Sequence, residues 1–87
     1  MDAAELRVDG NAIAGLLQEI FVAEVTAASS VCDGCGAIEP VGALVVYLAG
    51  PGVVVRCRHC GGIMIRIVRN GGRTWLYLSG TRSIELR

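Results

Sequence analysis

The stretch CDGCG at residues 32–36 has a counterpart in CRHCG at residues 57–61, and the two hold all four cysteines of the 87-residue chain. Each stretch, called a knuckle below, is a C-x-x-C pair followed by glycine, which lets the backbone fold back under a bound metal without a Cβ clash. One pair supplies two ligands, whereas a structural Zn²⁺ takes four. The spacer, residues 36–56, has room for a strand, a turn and a strand that would bring the pairs together. We therefore predict one metal site with four ligands: Cys32, Cys35, Cys57 and Cys60.

Four cysteine ligands would fill the coordination shell, whereas a catalytic zinc keeps one position open. His59 lies inside the second knuckle, but the shell is complete without it. We interpret His59 as facing solvent, with a swap for one cysteine as the alternative. The sequence has no Ser/His/Asp set, carboxylate pair or Walker loop. We expect no catalytic residue, no other cofactor and no enzymatic activity.

The composition favours one cytoplasmic domain, residues 1–87. The longest apolar stretch, residues 41–55, is interrupted by Gly50, Pro51 and Gly52 and is shorter than the ~20 residues of a membrane span. The start, MDAAELRVDG, lacks the apolar segment of a signal peptide. Because cytosolic thiols stay reduced, paired CxxC motifs there favour a metal over disulfides or free thiols.

The apolar residues of the N-terminal segment, residues 9–23, have helical spacing. They fall at i, i+3, i+4, i+7 and i+8, which predicts an amphipathic helix over about residues 11–22, capped by Asp9 or Asn11. The set is Ile13, Leu16, Leu17, Ile20 and Phe21. We expect this face to pack on the domain itself, with docking on another chain as the alternative.

Strand patterns follow over residues 24–87. The runs at 42–48 and 52–57 flank the turn AGPG, and those at 62–69 and 73–80 flank NGG, the strongest hairpin signal in the chain. EVTAAS (24–29) and SIELR (83–87) are interpreted as further short strands.

Alternation along the second hairpin separates two faces. Ile63, Ile65 and Ile67 are predicted to face the core. The other face carries arginines and the only tryptophan, and Arg66 is predicted to stack over Trp75. The residues of this candidate partner surface are Arg66, Arg73, Trp75 and Tyr77.

The knuckles joined through strands resemble a zinc ribbon over residues 32–80. That resemblance implies an α+β fold: one N-terminal helix, then a small antiparallel zinc-ribbon sheet. The whole chain is also similar to a small actinobacterial domain family of unknown function, through DGNAIAGLLQEIF, EVTAA, both knuckles, AGPGVVVRC and GRTWLYL. This second resemblance favours an accessory role beside an oxidoreductase. Rubredoxin, which carries electrons on iron held by two similar knuckles, is the rival, because the ligand set alone does not separate zinc from iron.

Charge divides the chain in two. Residues 1–40 hold seven acidic residues against Arg7, and residues 41–87 hold seven arginines against Glu85. Arginine suits phosphate or carboxylate partners, but the acidic half should repel a polyanion. We expect a protein partner or a homo-oligomer, with nucleic acid less favoured and no membrane partner.

Overall fold

The computed structural model describes residues 5–21, 24–49 and 52–86, which form two antiparallel sheets and one short helix. The strands are β1 (Glu5–Asp9), β2 (Ser29–Cys32), β3 (Ile38–Pro40), β4 (Val45–Ala49), β5 (Gly52–Arg56), β6 (Ile63–Asn70), β7 (Arg73–Tyr77) and β8 (Thr81–Glu85). The large sheet has the order β1-β4-β5-β6-β7, and the small sheet has the order β3-β2-β8. The fold is therefore α+β with a strong excess of strand, built on two sheets where the sequence predicted one.

The N-terminal helix is shorter than predicted and begins with a tighter turn. A 3-10 turn, Gly10–Ile13, leads into helix α1, Ala14–Ile20, and the Asp9 side chain accepts a hydrogen bond from the Ala12 backbone N–H at 3.3 Å. Gly10 is pressed against a second 3-10 turn, Val41–Ala43, so closely that an added Cβ would lie 2.0 Å from the Val41 carbonyl oxygen. The chain becomes extended at Phe21. Residue 22 of the predicted helix, and residue 23 at the end of the N-terminal segment, lie outside the described residues.

The core lies between α1 and one face of the large sheet. Leu17 is fully buried there, in one cluster with Val46, Val55 and Ile67. Ile13 is also buried in this cluster, whereas Leu16, Ile20 and Phe21 are partly buried against it. The predicted apolar face of the helix therefore packs on its own sheet.

The hairpin predicted around NGG is present, but its core register differs at one end. β6 ends at Asn70 and β7 begins at Arg73, its paired residue. Ile65 and Ile67 are buried as predicted, whereas Ile63 is 45 % exposed and Met64 takes its place in the core. The reason is a shift in the β5–β6 register, which pairs Val55 with Ile65 but Arg56 with Ile63 and so rotates the strand start.

The other strand predictions have mixed outcomes. Residues 24–28 of EVTAAS form a turn closed by the Ala28 N–H bond to the Val25 carbonyl, and β2 begins only at Ser29. β1 and β3 were not predicted. β3 has only three residues, whereas β1 alternates polar and apolar residues, a signal that the sequence analysis did not use. The AGPG turn includes residues 50 and 51, which lie outside the described residues, but β4 and β5 on either side pair antiparallel.

The end of the chain crosses from the large sheet to the small one. After β7, Gly80 lies against the backbone of Ile63, where an added Cβ would be 1.7 Å from the carbonyl oxygen. The Thr81 hydroxyl then donates to the Met64 carbonyl at 2.8 Å. β8 pairs with β2 as an edge strand of the small sheet, so SIELR does contribute an edge strand.

Within residues 5–21, 24–49 and 52–86, no helix has the length and apolarity that crossing a membrane would require.

Candidate metal centre

The two knuckles join different sheets. The first, residues 32–36, connects β2 to β3 in the small sheet, whereas the second, residues 57–61, connects β5 to β6 in the large sheet. A metal held by both knuckles would therefore tie the sheets together.

The backbone of the two knuckles is hydrogen-bonded in the same way. In the first, the Cys32 N–H donates to the Ala37 carbonyl at 3.0 Å and the Gly36 N–H donates to the Cys32 carbonyl at 2.9 Å. In the second, the matching bonds run from Cys57 to Gly62 at 2.9 Å and from Gly61 to Cys57 at 3.0 Å. Both knuckles thus turn their sulfur atoms inward by one local geometry.

The glycine that closes each knuckle has a left-handed backbone conformation, and the Cβ clash that the sequence analysis expected is absent. Gly36 has φ 78° and Gly61 has φ 77°, a region that L side chains rarely adopt. An added Cβ would meet no atom within 4 Å at either position. The requirement for glycine is therefore conformational rather than a matter of space.

The structure brings the four predicted thiols into one cluster. All four Sγ atoms lie within 4.8 Å of one another, and the closest contacts run between knuckles, with Cys32 to Cys60 and Cys35 to Cys57 both at 3.7 Å. In a tetrahedral site with Zn–S bonds of ~2.3 Å, the sulfur atoms would be about 3.8 Å apart. The cluster therefore fits a tetrahedral thiolate-bound ion, although the identity of the metal does not follow from the geometry.

Burial differs between the two cysteines of each knuckle. The first cysteines, Cys32 and Cys57, are buried, and the second cysteines, Cys35 and Cys60, are exposed. In the second knuckle, the His59 N–H lies 3.4 Å from the Cys57 sulfur and the Gly62 N–H lies 3.4 Å from the Cys60 sulfur. Such N–H groups stabilise a thiolate.

The thiol pKa values show how the cluster shares negative charge. Burial raises the pKa of Cys57, but backbone N–H groups of Cys60 and His59 and contacts with the neighbouring thiols lower it to about 6. For Cys35, the Ala37 N–H lowers the pKa, whereas desolvation and the other three thiols raise it to about 11. A neutral thiol that donates to a neighbouring sulfur favours its ionisation, whereas the thiolate so formed opposes the ionisation of the next thiol. A bound cation would remove this repulsion and let all four ionise.

The His59 side chain is hydrogen-bonded to a neighbouring carboxylate and lies outside the cluster of four thiols. Its Nε2 lies 2.8 Å from a carboxylate oxygen of Glu39, and the Arg58 Nε lies 3.8 Å from the same oxygen. The His59 side chain is half exposed. Glu39 thus links β3 to the second knuckle, a contact that the sequence analysis missed because no local spacing relates two residues twenty positions apart.

The candidate partner surface lies on the outer face of the β6–β7 hairpin. Arg66 pairs with Tyr77 across the strands, and Val68 pairs with Trp75. The Arg66 guanidinium lies over the Tyr77 ring, 5.6 Å from its centroid, so the prediction that it stacks over Trp75 is wrong. Trp75 is 41 % exposed and Tyr77 is 49 % exposed, and Arg73 is also exposed.

This surface continues onto β4 and β5, which the predicted partner surface did not include. The Arg56 guanidinium lies 5.8 Å from the ring centroid of Tyr47, and both side chains are half-buried. Alternation in the runs at residues 42–48 and 52–57 would have placed Tyr47 and Arg56 opposite the buried Val46 and Val55.

Comparison with known proteins places the whole chain in one family. The model of DUF6510, described as a family of unknown function, matches residues 2–87. Searches of the curated proteins and of the solved structures found no significant match.

Proposed function

We propose that this chain, which belongs to the DUF6510 family of unknown function, is a non-enzymatic binding module built around a structural zinc site of the zinc-ribbon type. The observation that carries the proposal is the clustering of four Sγ atoms from two matching knuckles, with both contacts between knuckles at 3.7 Å. Four thiolates would complete the shell of a tetrahedral ion, which is typical of structural zinc.

The ligand arrangement supports a structural role for the ion. Each close sulfur pair joins one cysteine of the small sheet to one of the large sheet. Bound zinc would supply a cross-link between the two sheets, and its binding free energy would contribute to folding. A domain of this size buries a limited core and often needs such a cross-link.

The partner surface supports binding in place of catalysis. With four cysteines as ligands, no coordination position is left for a substrate. Trp75, Tyr77 and the arginines beside them expose a mixture of aromatic and cationic groups. Protein interfaces and single-strand nucleic-acid sites share this mixture, so the module is proposed to present this face to a macromolecule.

Electron transfer on iron is the second candidate, favoured by the exposure of Cys35 and Cys60. Two sulfurs at the surface would bring the ion close to an electron donor or acceptor. The same four thiolates would suit iron or zinc, so the two candidates differ in the metal and not in the ligands.

Metal analysis of protein purified without added metal, combined with its visible spectrum, tests the proposal. We expect one zinc per chain and a colourless solution, whereas ferric iron bound by thiolates would give a red one. The variant Cys57→Ser should lose the metal and much of its stability, because one ligand is removed.

His59→Ala is the matched control, since it changes the same knuckle without removing a sulfur. It should keep one zinc per chain. A Cys57→Ser variant as stable and as metal-loaded as the wild type would contradict the proposed zinc site. Loss of zinc in His59→Ala alone would make the histidine a ligand and contradict a shell made of four cysteines.

A further inference from the structure

The arginines of the described residues form two groups that differ in their neighbours. Three of them lie within ion-pair distance of a carboxylate: Arg58 with Glu39 at 3.8 Å, Arg69 with Glu19 at 3.1 Å and Arg82 with Asp33 at 3.5 Å. Among the described side chains, the other four have no such carboxylate neighbour: Arg7, Arg56, Arg66 and Arg73. The second group therefore has no ion-pair partner among the described side chains.

Strand register places this second group on one face of the large sheet. One row crosses all five strands and consists of Arg7, Tyr47, Val54, Arg66 and Tyr77. Trp75 and Arg73 follow on β7 at alternate positions, on the same side as Tyr77. The arginine–aromatic face is defined by these residues: Arg7, Tyr47, Arg56, Arg66, Arg73, Trp75 and Tyr77.

The opposite side of the same strands holds the core and a neutralised arginine. Val46, Val55 and Ile67 are buried there. Arg69, which alternates with Arg66 along β6, turns to this side and meets Glu19 on α1. The carboxylates that neutralise arginines thus lie on α1, β3 and the first knuckle. Asp9, two positions from Arg7 on β1, is a described carboxylate on the side of the arginine–aromatic face, and its side chain accepts the Ala12 N–H.

We propose that the arginine–aromatic face binds a single-stranded nucleic acid, with the arginines contacting phosphates and the exposed rings stacking on bases. This inference deepens the proposed function, because it names the partner of the module. Cationic groups interleaved with aromatic rings are how sequence-tolerant single-strand sites hold their ligand. Arg56 and Arg66 already lie against tyrosine rings, which places their charge beside a stacking surface.

Dimensions and charge favour this occupant. Strands in a sheet are about 4.8 Å apart, so Tyr47 and Tyr77, three strands apart, are separated by about 14 Å. That span covers about four stacked nucleotides at ~3.4 Å each, which matches the smaller single-strand sites. A second copy would bring its own uncompensated arginines against these, so face-to-face self-association is disfavoured.

Fluorescence anisotropy of labelled 12-nucleotide oligo-dT and oligo-U, titrated with the metal-loaded full chain, tests the proposal and compares DNA with RNA. One phosphate neutralised by each arginine of the face predicts a slope of about −3 for log affinity against log salt, at ~0.7 per phosphate of a single strand. Trp75 is the only tryptophan, so its emission should change on binding. Trp75→Ala should weaken binding by about 5- to 150-fold, the usual effect of losing one stacked base.

Two double variants test whether binding depends on the arginines of the arginine–aromatic face or only on the net charge of the protein. Arg66→Ala combined with Arg73→Ala should lower affinity at least about tenfold at ~0.05 M salt and reduce the slope by about 1.4. Arg69→Ala combined with Arg82→Ala removes the same charge from arginines that already have carboxylate neighbours, and should change affinity by less than about threefold.

Three results would overturn the proposal. One is no binding of either oligonucleotide at about 100 µM protein and ~0.05 M salt, where electrostatic contacts are strongest. That result would favour a protein as the partner of the arginine–aromatic face. Another is an equal loss in both double variants. The third is binding of a 12-base-pair duplex as tight as that of the single strands. Zinc content measured on the same sample keeps the two proposals apart, since a zinc-loaded chain that binds no oligonucleotide contradicts only this one.

Discussion

At the scale of single residues, the left-handed backbone at Gly36 and Gly61 is what lets both sulfurs of each knuckle reach one point. The two φ values nearly coincide, at 78° and 77°, and the hydrogen bonds around them match. Because an added Cβ would meet open space, a substitution here tests backbone conformation without a steric clash.

Gly61→Ala should lower the free energy of unfolding by about 1–2 kcal/mol, the usual cost of a left-handed L-residue. Gly61→Asn should cost less, because asparagine tolerates this region better. Urea unfolding of the zinc-loaded variants measures both. Equal midpoints for alanine and asparagine would show that the conformation at residue 61 does not limit stability.

At the scale of elements, the crossing after β7 is held by a close backbone contact. Gly80 lies against Ile63, and the Thr81 hydroxyl bonds to the Met64 carbonyl. The register shift between β5 and β6 that buries Met64 lies at this same beginning of β6. The crossing therefore depends on a position where a side chain would displace backbone.

Gly80→Ala should destabilise the protein by more than about 1 kcal/mol, because its Cβ would overlap the Ile63 carbonyl oxygen. Gly15→Ala is the matched control: it lies inside α1, has no atom within 4 Å of the added Cβ, and should stabilise by about 0.5–1 kcal/mol. Thermal midpoints of the two variants should move in opposite directions. A Gly80→Ala variant with an unchanged midpoint would contradict the close approach.

Helix α1 contributes through one fully buried side chain. Leu17→Ala should cost about 2–5 kcal/mol, because a cavity would open in the core. Leu16→Ala removes the same atoms from a partly buried position and should cost less. Chemical denaturation gives both values, and equal losses would mean that the helix does not pack as the structure places it.

At the scale of the whole molecule, the cysteine spacing, the N-terminal helix and the NGG hairpin could be predicted, because each depends on residues close in sequence. The division into two sheets could not. β1 pairs with β4, and β8 pairs with β2, across separations of tens of residues. The exchange of Ile63 for Met64 in the core was equally hidden, since the register shift arises from the pairing with β5.

The distribution of charge also emerged only in three dimensions. The sequence divides into an acidic half and a basic half, which suggested repulsion of any polyanion. The fold instead brings Glu19, Asp33 and Glu39 beside arginines of the other half, so that the uncompensated arginines share one sheet face. The candidate metal ligands needed no such information, because their clustering follows from the repeated CxxCG pattern.

Removal of the metal should loosen the small sheet before the large one. The small sheet has three strands and joins the large one through the knuckles and the crossing at Gly80. Among the described residues, the strands of the large sheet contribute five residues to the buried core cluster, whereas those of the small sheet contribute only Cys32. Hydrogen exchange after treatment with a chelator should rise first in residues 29–40 and 81–85 and later in residues 45–56 and 63–77. Uniform acceleration across both sheets would contradict this order.

The unequal burial of the two cysteines in each knuckle should set the order in which they bind and release a metal ion. An ion arriving from solvent would meet the exposed Cys35 and Cys60 first, and the buried Cys32 and Cys57 would complete its coordination shell afterwards. Release of the ion would follow the reverse order, so a competing chelator would first displace Cys35 or Cys60 from the metal. Substitution of an outer cysteine should therefore speed metal exchange with a chelator more than it changes the burial of the inner pair.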